Sequence, residues 1–169
     1  VRTRLVSGYI PGAIGRVTEM HAQYYSRHWS FGLFFEAKVA RELSEFLECF
    51  DGRRDGFWTV VDDGRVLGAI AIDGAKAEAR GAHLRWFIID EALQGSGWGG
   101  QLLHEAVGFC RKNRYDRVFL WTFAGLAAAR HLYEKAGFVL VEQIQGRRWG
   151  TTVTEQRFDL QIPQSSRSD

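Results

Sequence analysis

The stretch Gln94-Gly95-Ser96-Gly97-Trp98-Gly99-Gly100 constrains this chain more than any other, because it joins an apolar run, Leu84 to Ile89, to a helical pattern. Four glycines in seven residues let the backbone turn sharply, take positive φ and approach a ligand with no Cβ in the way. The helix that follows begins with unpaired amides at the positive end of its dipole, so the loop reads as a cradle for an anion such as a pyrophosphate. Turn geometry alone also places glycine before helices, so the surrounding residues must decide the reading.

Spacing tests the common phosphate loops. No Gly-Lys-Ser/Thr closes the stretch, which argues against a Walker-type nucleotide site. Gly95, Gly97 and Gly100 match a dinucleotide fingerprint formally, but they lie past the middle of the chain and the next strand ends in Leu120-Trp121-Thr122 without a carboxylate. A dinucleotide-binding oxidoreductase therefore stays open only as a lesser alternative.

The rest of the chain alternates strand and helix patterns. Arg2 to Val6 reads as an edge strand. Pro11 suits a first helical turn, and Ile14, Val17, His21 and Tyr24 then share one helix face, His21 as a satisfied core or boundary residue. An aromatic cluster, Tyr24 to Phe31, reads as a connection that either packs under the helices or walls a cleft. Phe35, Val39, Leu43, Phe46, Leu47 and Phe50 form the core stripe of a second helix over Phe31 to Phe50, with Lys38 and Glu42 among its outward charges. Phe57 to Val61 and Val66 to Ile72 flank Asp62-Asp63-Gly64-Arg65, a hairpin signal, and Ala75 to Gly81 reads as a polar connection. Beyond the glycine loop come a helix through Cys110, a central strand Val118 to Trp121, a helix through Ala136 stopped by Gly137, and two closing strands, Phe138 to Ile144 and Thr151 to Leu160.

A chain of 169 residues with 46% hydrophobic content is long enough to bury a core, and one domain over 1–163 with a polar tail over 164–169 is expected. Its net charge of +2, from scattered basic residues, gives no support to nucleic-acid binding. Cys49 and Cys110 fall in helical patterns without metal spacing, so both are expected as buried thiols, and no metal site is expected. No apolar run reaches the ~18 residues of a membrane span and no signal peptide is evident, so the expected location is cytoplasmic.

The glycine loop resembles motif A of the GNAT N-acetyltransferases, Gln/Arg-x-x-Gly-x-Gly/Ala, through Gln94, Gly97 and Gly99. Leu84 to Asp90 resembles that family's fourth strand, and Ala128 to Phe138 its motif B helix and the turn after it, so the likeness covers roughly 82–141. Within the superfamily the chain looks most like acetyltransferase domains fused behind a winged-helix transcriptional regulator.

The resemblance implies an α+β fold, a mixed and mostly antiparallel sheet of about seven strands flanked by about four helices. It implies acetyl transfer from acetyl-CoA to a primary amine, a small molecule or peptide, by direct attack in a ternary complex. It places acetyl-CoA on Gln94, Gly95, Ser96, Gly97, Trp98, Gly99 and Gly100, with Ala129 beside it and an oxyanion-binding amide near Phe87, Ile88 and Ile89. Tyr133 then stands where the family's thiolate-protonating tyrosine stands, and otherwise reads as a core residue. His83, near the start of the fourth strand, is the candidate base, with an ordinary pKa of about 6.5; Asp73 and Glu78 are the alternatives. In the family the aromatic connection borders the acceptor site, which makes Trp29 and Phe31 the candidate acceptor contacts. Phe123-Ala124 departs from relatives that supply a polar side chain there. A non-catalytic acyl-CoA sensor would use the same cradle, and a homodimer is an allowed assembly.

Overall fold

The computed structural model describes residues 2–164. Seven strands, β1 (Arg4–Ser7), β2 (Gly56–Asp62), β3 (Arg65–Asp73), β4 (Ala82–Ile89), β5 (Arg117–Phe123), β6 (Val139–Gly146) and β7 (Val153–Gln161), form one sheet in the order β1-β2-β3-β4-β5-β7-β6. Only β4 and β5 are parallel; the other neighbours are antiparallel. This is the mixed sheet of the GNAT fold, not a doubly wound parallel sheet of the dinucleotide-binding kind. Five helices accompany it: α1 (Ala13–Trp29), α2 (Leu33–Glu48), the single turn α3 (Ala77–Arg80), α4 (Trp98–Lys112) and α5 (Ala127–Lys135).

Period-two alternation splits the apolar residues of the sheet between two cores. Ile70 and Ile72 of β3 join Trp58, Val60, Leu84, Leu102 and Val107 on the α4 side, whereas Ala69 and Ala71 join Val17, Met20, Leu43 and Phe46 on the α1 and α2 side. The sheet is thus buried on both faces at its centre, which explains the unbroken apolar run Val66 to Ile72 of β3. The β2–β3 hairpin turns through Asp63 and Gly64, both at positive φ (48° and 78°), the backbone that a two-residue turn of matching twist requires. Gly137, at φ 101°, follows the end of α5 and terminates it.

Three expectations are corrected. The polar connection 75–81 contains the helical turn α3. Tyr24 to Trp29 are not a connection but the last turns of α1, and the link to α2 is only Ser30 to Gly32; the cluster's aromatic residues were weighed as loop residues when they continue a helix face. Cys110 is buried as expected, but Cys49 is exposed at the end of α2, beyond its last buried turn. Of the expected tail, Gln164 bonds through its amide to the Arg114 carbonyl (3.5 Å) and the Tyr115 carbonyl (3.4 Å); residues 165–169 lie outside the described residues.

Candidate active site

The parting of β4 from β5 creates the site. The two strands are paired only at Ala82↔Val118 and His83↔Phe119, although β4 runs on to Ile89 and β5 to Phe123. Beyond that point their facing backbone groups have no strand partner across the gap. On the other edge of β4 the register slips, so that Ile70 stands opposite both Trp86 and Phe87, and Trp86 is held at φ 50°. A bulge of this kind bends a strand and re-aims its side chains, and a bulky residue at positive φ is a strained conformation that its surroundings must maintain.

The glycine loop crosses one end of this gap. Gly95 and Gly97 lie at φ 78° and 88°, and Gly97 is the residue before α4, without a side-chain cap. The amides of Gly95, Gly97, Gly99 and Gly100 have no acceptor among the described residues. A Cβ built on Gly95, Gly97 or Gly100 would meet nothing within 4 Å, so the backbone lies bare against open space. The Gly97 turn is therefore demanding through its dihedral angles, not through crowding by the protein.

Two cavities meet at the gap. One, of about 510 Å³, is lined by Phe87, Ile88, Ile89, Gln94, Gly95, Gly97, Gly99, Gly100 and Ala129, together with Tyr24, Gly125, Leu126 and the small residues that open α5. Its bare amides and glycine floor fit a pyrophosphate, as acetyl-CoA has. Ser96 and Trp98 do not line it: the Ser96 hydroxyl donates to the Leu93 carbonyl, and Trp98 packs against the α4-side core. The second cavity, of about 330 Å³, is lined by His21, Phe35, Lys38, Glu42, His83, Arg85, Trp86, Tyr133 and Arg148 among others. Tyr25, Phe87 and Leu126 border both.

Tyr133 reaches the second cavity from the core. It is 6% exposed, packed beside Phe87, Phe138 and Phe158 at ring separations of 5.9 to 6.1 Å. Burial raises its pKa, so the phenol keeps its proton at any physiological pH. The two histidines behave oppositely to an ordinary imidazole. His21 donates through Nδ1 to the Val17 carbonyl (2.8 Å), and burial lowers its pKa to about 4. His83 stacks on Phe119 at 4.5 Å; burial first, then the charges of Arg85, Arg148 and Arg157, lower its pKa to about 3. The value of 6.5 expected for His83 is thus corrected, because its surroundings disfavour a second proton on the ring. Asp73 and Glu78 do not line the cavity; Asp73 lies 3.8 Å from Arg85, and Glu78 is exposed on α3.

Trp29 and Phe31 line neither cavity. Phe31 is 3% exposed in a cluster with Phe35, Val39 and Phe123. Trp29 sits edge-on to Phe123 at 4.9 Å and packs where a Cβ on Gly125 would stand, so it backs the cavity wall instead of facing it. Of the aromatic cluster Tyr24 to Phe31, the residue that faces both cavities is Tyr25. Lys38, Glu42 and Arg148 were missed as site residues. Lys38 and Glu42 lie beside the apolar stripe of α2 and look solvated in sequence, and Arg148 sits in the turn between β6 and β7. Gly125 and the alanines Ala127 to Ala129 were a local signal for a close-approaching ligand.

The chain belongs to the acetyltransferase (GNAT) family, whose sequence model matches residues 16–138. Among curated proteins it is similar to N-acetylaspartate synthetase of Xenopus tropicalis, with 31% identity over 117 residues, 68% of this chain and 42% of that protein. The human N-acetylaspartate synthetase is 27% identical over 139 residues, 81% of this chain and 44% of that protein. The chain thus spans less than half the length of these relatives. Among solved structures it resembles YncA of Salmonella typhimurium, an acetyltransferase solved with its cofactor acetyl-CoA, at TM-score 0.71 and 15% identity over 100% of this chain and 99% of that one. A GNAT-family acetyltransferase of Desulfovibrio desulfuricans gives TM-score 0.70 at 23% identity over 94% of this chain and 98% of that one. At such identities these structures speak to the fold. Among the described residues no helix is long and apolar enough to cross a membrane.

Proposed function

We propose that this chain moves an acetyl group from acetyl-CoA to a primary amine by direct attack, donor and acceptor occupying the two cavities that meet at Tyr25, Phe87 and Leu126. The observation that carries the reading is the separation of β4 from β5 after His83↔Phe119, which opens a path from the glycine loop to the charged cavity. The amides of Gly95, Gly97, Gly99 and Gly100 hold the pyrophosphate, helped by the dipole of α4. A backbone amide of the Phe87 to Ile89 segment faces the thioester oxygen as it gains charge, and Tyr133 gives a proton to the departing sulfur. Bound acetyl-CoA supplies the activated acetyl group.

The amine must attack without its proton. His83 takes up a second proton only below about pH 3, and Glu42 is committed to Lys38 and Arg85, so we infer that the neutral fraction of the amine is taken up. Relatives named N-acetylaspartate synthetase make aspartate the first acceptor to try. The proposal takes 1–163 as one catalytic domain. The finer likeness to acetyltransferase domains behind winged-helix regulators, cytoplasmic location and homodimer assembly belong to it too, and the mass of the purified native protein and its cell fraction test all three.

Thiol release from acetyl-CoA, screened over amino acids, polyamines, aminoglycosides and peptides with product masses, tests the activity. The expected result is one acceptor class gaining an acetyl group, at rates that rise between pH 7 and 9. Tight acetyl-CoA binding with no release for any amine would make the protein an acyl-CoA sensor.

A further inference from the structure

The charged side chains of the smaller cavity are unevenly matched. Lys38, Arg85 and Arg148 line it and Glu42 is the one carboxylate that does. Glu42 accepts from both Lys38 (2.8 Å) and Arg85 (2.7 Å), so those three charges are tied together on the α2 and β4 wall. Arg148 stands on the other wall and is differently engaged. Its Nε donates to Glu155 Oε1 (2.9 Å), and its own backbone amide donates to Glu155 Oε2 (3.1 Å), while its guanidinium lies over the Trp121 ring, 4.0 Å from the centroid. Among the described residues no acceptor takes its two terminal nitrogens. Arg157 offers the contrast: it is committed to Asp159 by two nitrogens (2.8 and 3.4 Å) and does not line the cavity.

An arginine held on one edge and one face keeps a rigid pair of donors at its far end. That geometry matches a carboxylate and does so at little entropic cost, since the side chain is already fixed. The same lining repels cations. Both cavity histidines are neutral at physiological pH, so the excess positive charge comes from Lys38, Arg85 and Arg148, and a polyamine entering here would meet like charge with only Glu42 to offset it.

We propose that the acceptor is an amine that carries a carboxylate, of the amino-acid class, and that the terminal nitrogens of Arg148 receive this carboxylate and set the specificity. The proposal rests on the transfer reading above and names the substrate class and the residue that selects it. Arg148 is a specificity-determining contact, remote from the acetyl group itself.

The test uses the whole chain with acetyl-CoA and compares three sets of amines: acidic and neutral amino acids, the same amino acids with every carboxylate converted to an amide, and polyamines. Turnover confined to the carboxylate-bearing set supports the proposal, and Arg148→Gln then raises the KM of the best acceptor about 10- to 100-fold, the loss expected for a charge-assisted pair, with the affinity for acetyl-CoA unchanged. Because Arg148→Gln strands Glu155, which is 5% exposed, the double variant Arg148→Gln/Glu155→Gln is measured beside it and should show the same rise. Efficient acetylation of amides or polyamines, or an unchanged KM in a folded Arg148 variant, overturns the proposal and leaves the transfer reading standing. No thiol release with any of these three sets overturns the proposal, and no release with aminoglycosides or peptides either overturns the transfer reading as well.

Discussion

Burial does two things at Tyr133 that pull in the same chemical direction. It fixes the ring against Phe87, Phe138 and Phe158, and it keeps the phenol protonated far above neutral pH. Tyr133→Phe retains the ring packing and removes the proton donor, so folding and acetyl-CoA affinity should survive while kcat falls about 10²- to 10⁴-fold, the usual worth of general acid help. Single-turnover measurement separates this from slow product release, and a wild-type chemical step would return Tyr133 to a purely structural role. His21 makes a prediction of the opposite kind, for stability. The unfolded histidine takes a proton near 6.5 and the folded one only near 4, so the unfolded state binds more protons between these values. The His21 contribution is therefore fully present above about 6.5 and is lost as pH falls towards 4, roughly 3 kcal/mol at about 1.4 kcal/mol per unit, with His83, lowered to about 3, adding in the same direction. Urea unfolding at pH 7.5 and pH 4.5 should show this loss, and His21→Gln should reduce it. Equal acid sensitivity in the variant would assign the loss to other groups.

At the scale of elements, what was legible in the sequence was what local chemistry dictates. The glycine loop, the β2–β3 hairpin and the Gly137 stop each depend on backbone angles that few residues adopt, and each stands where its residues placed it. Lys38 and Glu42 were misread because helical periodicity separates apolar from charged faces but cannot say that a charged edge borders a cavity. Trp29 was misplaced for a similar reason: its partner, Gly125, is nearly a hundred residues away and nothing local ties them. Gly97 carries the prediction that belongs here. Its φ of 88° suits no β-branched residue, so Gly97→Val must distort the turn that aims the amides, whatever space lies around it. Calorimetry should show acetyl-CoA binding weakened at least about tenfold, while Gly108→Ala, in the interior of α4, leaves it intact. Unchanged affinity in folded Gly97→Val would move the pyrophosphate elsewhere.

For the whole molecule, the strand order was the part that the sequence could not disclose. β7 inserts between β5 and β6, a long-range pairing that brings the Arg148 turn over Trp121 and so completes the smaller cavity. The same order leaves β4 and β5 free to separate, which puts the two cavities side by side. On the proposed reading of that arrangement, both substrates are present together when the acetyl group moves. Neither cysteine offers another route: Cys49 and Cys110 line neither cavity, and burial pushes the Cys110 thiol up to about 12. Initial rates with acetyl-CoA and the best acceptor varied together test this most directly. Transfer in a ternary complex predicts double-reciprocal lines that intersect, with no coenzyme A released before the amine is added. Parallel lines, with a burst of coenzyme A from enzyme and acetyl-CoA alone, would mean an acetylated enzyme and contradict the account.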